Sequence, residues 1–213
     1  MKTNALLAFF FFFSTALFAI TTAEIVFDSD GDLLINRGNY YLLPPGLGGQ
    51  AIKGAGIDKS DGSCSLAVVL KLSYKKGWLT NIASPYLSLH VTTDFPLWLR
   101  FAQLPIGTCT KNPQWVVTRV PGFGKPVMVG DANEFPVPLS GWFFIKPYDS
   151  AKFHYKLVFC YEQDKCGHVS VKTDSHGSKR LVVTEDEKVQ PLALKFVKDT
   201  SDEVVASDIS MVV

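Results

Sequence analysis

Apolar residues along this chain fall into short runs, and Gly, Pro, Asn and Asp interrupt them every few positions. The runs cover residues 25–27, 40–43, 66–70, 87–91, 98–101, 115–119, 127–129, 142–145, 155–160, 169–171, 181–183 and 192–197. They are rich in Val, Leu, Phe, Tyr and Trp and bounded by turn formers, which is how strands read in sequence. Beyond residue 23 no segment sustains a helical period over three turns. About a dozen short strands predicts an all-β domain, built as a sandwich, a barrel or a trefoil. Tyr40-Tyr41-Leu42-Leu43, Trp98-Leu99-Arg100-Phe101 and Trp142-Phe143-Phe144-Ile145 each open on an aromatic, at intervals of roughly 45 to 60 residues. That recurrence suits three structural units, and it makes Trp98 and Trp142 look like core residues.

The first 23 residues break the pattern. Lys2 precedes an unbroken apolar and small-residue stretch over residues 5–20 with five consecutive phenylalanines, and Thr21-Thr22-Ala23 follows. A basic start, an apolar middle and a small-residue end make a secretory signal peptide. A membrane anchor needs about 20 apolar residues, more than this run supplies. Cleavage is expected after Ala23, with Ala19 as the alternative. The sequence therefore predicts a secreted protein, in the apoplast or in a vacuole, and no membrane partner.

Removing the leader takes away six of the 16 phenylalanines and one lysine, leaving about 190 residues with acids and bases in balance. A neutral chain without a basic run has no electrostatic footprint for nucleic acid. Four cysteines remain, Cys64, Cys109, Cys160 and Cys166. An even count in a secreted chain implies disulfides, with three pairings open; the spacing favours one close and one distant pair. No C-x-x-C occurs, and His90, His154, His168 and His176 are not grouped with the cysteines, so no metal site is expected. Acidic residues sit mainly in turns or in Glu185-Asp186-Glu187, and no Gly-x-Ser-x-Gly elbow is present. Nothing selects a catalytic set, and no cofactor is called for.

The segment Val26-Phe27-Asp28-Ser29-Asp30-Gly31-Asp32-Leu33-Leu34, followed after five residues by Tyr40-Tyr41-Leu42, carries the decisive pattern. It resembles the N-terminal signature of the plant Kunitz-type (soybean trypsin inhibitor) family at every specified position. Gly141-Trp142-Phe143, the run from Tyr155 to Cys160, Asp164-Lys165-Cys166-Gly167, Arg180-Leu181-Val182-Val183 and Pro191-Leu192 match the same family in order. The resemblance implies a twelve-stranded β-trefoil of three pseudo-repeats over residues 24–198, with Cys64–Cys109 and Cys160–Cys166 paired. Residues 199–213 then form a C-terminal tail.

The resemblance also implies a monomeric protease inhibitor rather than an enzyme. Its reactive loop would be Ser84, Pro85, Tyr86, Leu87, Ser88, Leu89 and His90, with Leu87–Ser88 as the bond offered to the protease. Asn36 occupies the family's loop-supporting position. The implied partner is a serine endopeptidase or a carboxypeptidase. Two departures stand out: Leu87 replaces the usual Arg or Lys, and Arg37 stands where glycine is common. A leucine points to chymotrypsin-, elastase- or subtilisin-like targets, because in trypsin it would leave the pocket aspartate unpaired. The alternative function is a non-inhibitory trefoil, a storage or carbohydrate-binding protein, or inhibition of another protease class through a different loop. A sugar site would need a solvent-facing tryptophan beside Asp or Asn.

Overall fold

In a computed structural model, residues 23–46, 48–58, 64–73, 76–162 and 165–199 are described. The predicted leader and tail fall outside them, apart from Ala23 and Asp199. Twelve strands follow one another: β1 (Asn39–Leu43), β2 (Gln50–Asp58), β3 (Cys64–Leu72), β4 (Thr80–Ala83), β5 (Trp98–Phe101) and β6 (Trp115–Val117). They continue as β7 (Lys125–Val129), β8 (Gly141–Asp149), β9 (His154–Tyr161), β10 (Lys165–Thr173), β11 (Lys179–Thr184) and β12 (Lys195–Lys198).

Six strands form a closed barrel. β12 pairs with β1, β1 with β4, β4 with β5, and β8 with β9, all antiparallel. Bridges between Leu97 and Phe143 and between Tyr155 and Leu194 close the circle at its two remaining seams. Alternation along each strand sends every second side chain inward. Tyr40 and Leu42, Leu99 and Phe101, and Tyr155 and Leu157 occupy matching inward positions of β1, β5 and β9, and all are buried. Each such apolar side chain contributes about 1.5–3 kcal/mol on burial.

The hairpins β2–β3, β6–β7 and β10–β11 cap one end of the barrel. β3 pairs with β7, β7 with β11, and β11 with β3, so the cap is a triangle. Barrel plus triangular cap is a β-trefoil with three four-stranded units, as the family resemblance implies. The third unit opens at His154-Tyr155, however, and Trp142 belongs to β8, the last strand of the second. Trp98 and Trp142 are corrected likewise. They face outward, and their rings pack on each other at 4.9 Å outside the barrel. Trp115 is the tryptophan in the core.

Two predicted strands, 25–27 and 87–91, are instead extended segments joined by single bridges, Ile25–Thr92, Phe27–Leu33 and Ile35–His90. Two real strands escaped the pattern. β2 reads Gln-Ala-Ile-Lys-Gly-Ala-Gly-Ile-Asp, poor in strand formers, yet it pairs with β3 along its whole length. Gly54 is required there because a Cβ would overlap the Trp78 ring. β4 is short and carries Asn81 at its centre.

The N-terminal signature is a turn that holds its own start. Asp28 is fully buried, and its Oδ1 accepts the N–H groups of Asp30 and Asp32 at 2.9 and 3.0 Å. Gly31 takes φ 84° inside that turn. Lys198, at the end of β12, pairs with Asp28 at 3.3 Å and Asp32 at 2.5 Å. These contacts raise the lysine pKa, the hydrogen bond to Asp32 foremost. The signature thereby anchors the segment that delivers Asn36.

Candidate functional site

Between β4 and β5 the chain leaves the barrel at Ser84 and returns at His90. Ser84 is buried, while Pro85, Tyr86, Leu87 and Leu89 are exposed; Ser88 and His90 are intermediate. Leu87 is 101% exposed, an apolar side chain with no cover at all. The loop is nonetheless tightly held. Asn36 Nδ2 donates to the carbonyls of Tyr86 and Ser88, each at 3.0 Å. Its Oδ1 accepts the Ser84 N–H at 2.8 Å. One side chain thus spans the loop from inside and ties down the residues on both sides of Leu87.

Further bonds fix the legs. The Ser84 hydroxyl accepts the Tyr86 N–H at 3.3 Å, and the Ser88 hydroxyl donates to the His90 carbonyl at 2.8 Å. The Asn36 N–H donates to Leu89 O at 2.8 Å, and the Val91 N–H to Leu34 O at 2.9 Å. Tyr86 rests edge-on against Phe95, with centroids 5.0 Å apart. Pro85 presets one φ angle at the turn. No residue of the loop takes a positive φ.

The support of Asn36 has its own support. The buried Tyr40 hydroxyl accepts the Ile35 N–H at 2.9 Å, and burial raises that phenol's pKa. Asn81 Nδ2 donates to the carbonyls of Arg37 and Gly38, at 2.7 and 3.2 Å, and to Asn39 Oδ1 at 2.9 Å. Arg37 adopts φ 67°, the left-handed region, which explains why glycine suits this position. The substitution leaves the bonds of Asn36 in place. Asn81 and Phe95 were not read from sequence. An asparagine inside an apolar strand was the available signal, since a buried amide must find partners.

The structure therefore brings Asn36 and residues 84–90 together across about fifty positions of sequence. It joins Cys64 to Cys109 and Cys160 to Cys166. Cys64–Cys109 ties the β2–β3 hairpin to the β5–β6 loop, and Cys160–Cys166 joins residues already opposite each other on β9 and β10.

Residues 26–198 match the Kunitz legume family model, described as "Trypsin and protease inhibitor". The chain is 32% identical over 181 residues to a chymotrypsin inhibitor of Erythrina variegata, covering 82% of this chain and 96% of that one. Trypsin inhibitor 1 of Senna obtusifolia superposes with a TM-score of 0.71 at 43% identity, covering 83% of this chain and 98% of that one. The soybean trypsin inhibitor in complex with porcine pancreatic trypsin gives a TM-score of 0.71 at 32% identity, covering 82% and 99%.

Proposed function

Because the chain belongs to the Kunitz family of trypsin and protease inhibitors, whose members are not enzymes, we propose that it inhibits serine proteases with an apolar primary pocket, through residues 84–90. The observation that carries this reading is the bare side chain of Leu87 between two carbonyls held by Asn36. A loop already held in an extended shape loses little entropy on docking, so more of its contact energy appears as affinity. Leu87 enters the protease pocket, and Leu87–Ser88 is the bond presented to the catalytic serine. After cleavage, Asn36 keeps both new ends in place and re-ligation competes with release. Leu87 gains about 1.5–3 kcal/mol on burial in an apolar pocket. In trypsin it would leave the buried aspartate unpaired, at a cost of about 2–5 kcal/mol. Relatives at this level of identity are named as inhibitors of trypsin and of chymotrypsin alike, so Leu87 itself carries the preference. The secretory leader over residues 1–23 fits, since disulfides persist in the compartments it addresses.

Leu87→Arg tests the assignment. The wild-type chain should inhibit chymotrypsin or elastase better than trypsin. The substituted chain should gain about 10²–10⁴-fold in affinity for trypsin, because arginine pairs with the pocket carboxylate through charge-assisted bonds. If Leu87→Arg binds trypsin no better while its circular dichroism and melting are unchanged, the loop is not inhibitory. The non-inhibitory reading then takes its place.

A further inference from the structure

The outer barrel wall beside this loop carries a groove of about 580 Å³, lined by Arg37, Asn81, Ala83, Trp98, Arg100 and Gln114. Strand alternation turns Trp98 and Arg100 outward from β5, opposite Ala83 and Asn81 of β4. Gln114 bridges Arg100 from the other side, and Arg37 joins from the turn before β1. Asn81 Oδ1 accepts the Arg100 Nε–H at 3.2 Å, fixing the root of the guanidinium and leaving its fork directed elsewhere. Among the described residues, neither Arg37 nor Arg100 has an ion-pair partner. Among the described residues, no Asp or Glu lines the groove.

Three features point to a ligand. Two guanidiniums share a carboxylate-free groove, so the site is rich in donors and cationic. Trp98 is 44% exposed and braced by Trp142, which makes it a flat, rigid platform. Arg37 occupies a backbone conformation that glycine adopts without strain and other residues do not. The chain keeps a long cation there at a conformational cost. A neutral sugar could use Trp98 and the amides but would leave both guanidinium forks without an anion. A bare anion would have no use for the platform.

We propose that the groove binds a carboxylate-bearing sugar, a hexuronate or a short chain of them. The ring lies on Trp98, the carboxylate pairs with the forks of Arg37 and Arg100, and Gln114 serves a hydroxyl. The volume lies within the range of small-ligand sites, roughly 300–1,000 Å³. This assignment does not rest on the inhibitory reading of residues 84–90.

Titration of the mature chain with trigalacturonate, followed by calorimetry and tryptophan emission, tests it. Binding is expected with Kd below about 1 mM, with a change in emission, while galactose leaves both signals unchanged and acetate binds far more weakly. Arg37→Gly with Arg100→Gln should weaken trigalacturonate binding by about tenfold or more, with circular dichroism and melting as checks on the fold. Leu87→Arg should bind the sugar as the wild type does, which separates this site from the loop. Absent binding, or binding undiminished in the folded double variant, overturns the proposal. Acetate binding as tightly reduces the groove to an anion site. A polyglutamate peptide binding as tightly would make it a docking groove for acidic polypeptide, and either result sinks the sugar.

Discussion

At the scale of single residues, the half-buried Asn36 holds the loop together. Its three hydrogen bonds at 2.8–3.0 Å reach both sides of Leu87. Each is worth about 0.5–1.5 kcal/mol net, and all three act on a loop that water could otherwise solvate. Asn36→Ala should therefore barely alter folding, and the order of the loop should suffer instead. The expected outcome is dissociation from chymotrypsin faster by about tenfold to a thousandfold, with quicker cleavage at Leu87–Ser88. Stopped-flow dissociation and mass spectrometry of the cleaved chain would measure both. Unchanged rates would mean that the loop is held by its legs alone. Asn36→Asp keeps the acceptor for Ser84 but sets a carboxylate oxygen against the two carbonyls, so it should dissociate at least as fast as Asn36→Ala.

At the scale of elements, Glu185 joins three strands. It follows β11, pairs with Lys125 at the start of β7 at 2.6 Å, and accepts a short hydrogen bond from the Tyr161 hydroxyl at the end of β9. The bonds from Lys125 and then Tyr161 hold the Glu185 pKa below its ordinary value. Burial would lower Lys125, but its bonds to Glu185 and Tyr161 outweigh that and raise it. A depressed carboxylate contributes stability above its ordinary pKa of about 4.3 and loses it as pH falls through the folded value. A raised lysine contributes below its ordinary value and loses that in strong alkali. Glu185 is half exposed, so the pair contributes less than about 1 kcal/mol. Glu185→Gln should cost that amount near neutrality and flatten the acid limb of a melting-temperature profile below about pH 4.5. A variant that follows the wild-type acid limb would remove Glu185 from the account.

Elements were also where the sequence misled. β2 is diluted by Gly, Ala and charged residues and β4 is only four residues long with Asn81 inside it, so partners supply what their sequences do not. β3 holds all nine residues of β2 in register, and β1 and β5 hold β4 between them. Conversely, residues 87–91 have a strand's composition, yet a single bridge, Ile35–His90, joins them to a neighbour, and Leu87 and Leu89 face solvent.

At the scale of the whole molecule, the two disulfides differ in what they constrain. In the chain-entropy picture a loop of about 46 residues contributes about 4 kcal/mol, and one of about seven contributes 2–2.5 kcal/mol. The native contacts widen the gap. Cys64–Cys109 ties a cap hairpin to a loop it does not otherwise pair with, whereas Cys160–Cys166 repeats a contact that β9 and β10 already make. Replacing Cys64 and Cys109 with serine should cost more stability in chemical unfolding than replacing Cys160 and Cys166. Both variants should retain the β spectrum, since the closed barrel and its buried core need neither bridge. Equal losses would show that unfolded-chain entropy is not the controlling quantity.

Local chemistry determined much of this protein by itself. Alternating apolar runs and turn formers give an all-β chain, because strand periodicity and turn preference act over a few residues. The Asp28–Gly31 turn was legible in its own residues, whereas the segment around Leu87 and the position of Asn36 were picked out by resemblance to the family alone. What waited for the tertiary structure depends on contacts between distant segments. Closure of the barrel decided that Trp98 and Trp142 face outward while Trp115 faces in. Triangular pairing of the cap made a strand of the glycine-bearing β2. The approach of β4 to the turn before β1 set Asn81 behind Arg37 and placed two guanidiniums in one groove. Such juxtapositions follow from which strands share a wall, and a periodicity read along one chain carries no record of its neighbours across the sheet.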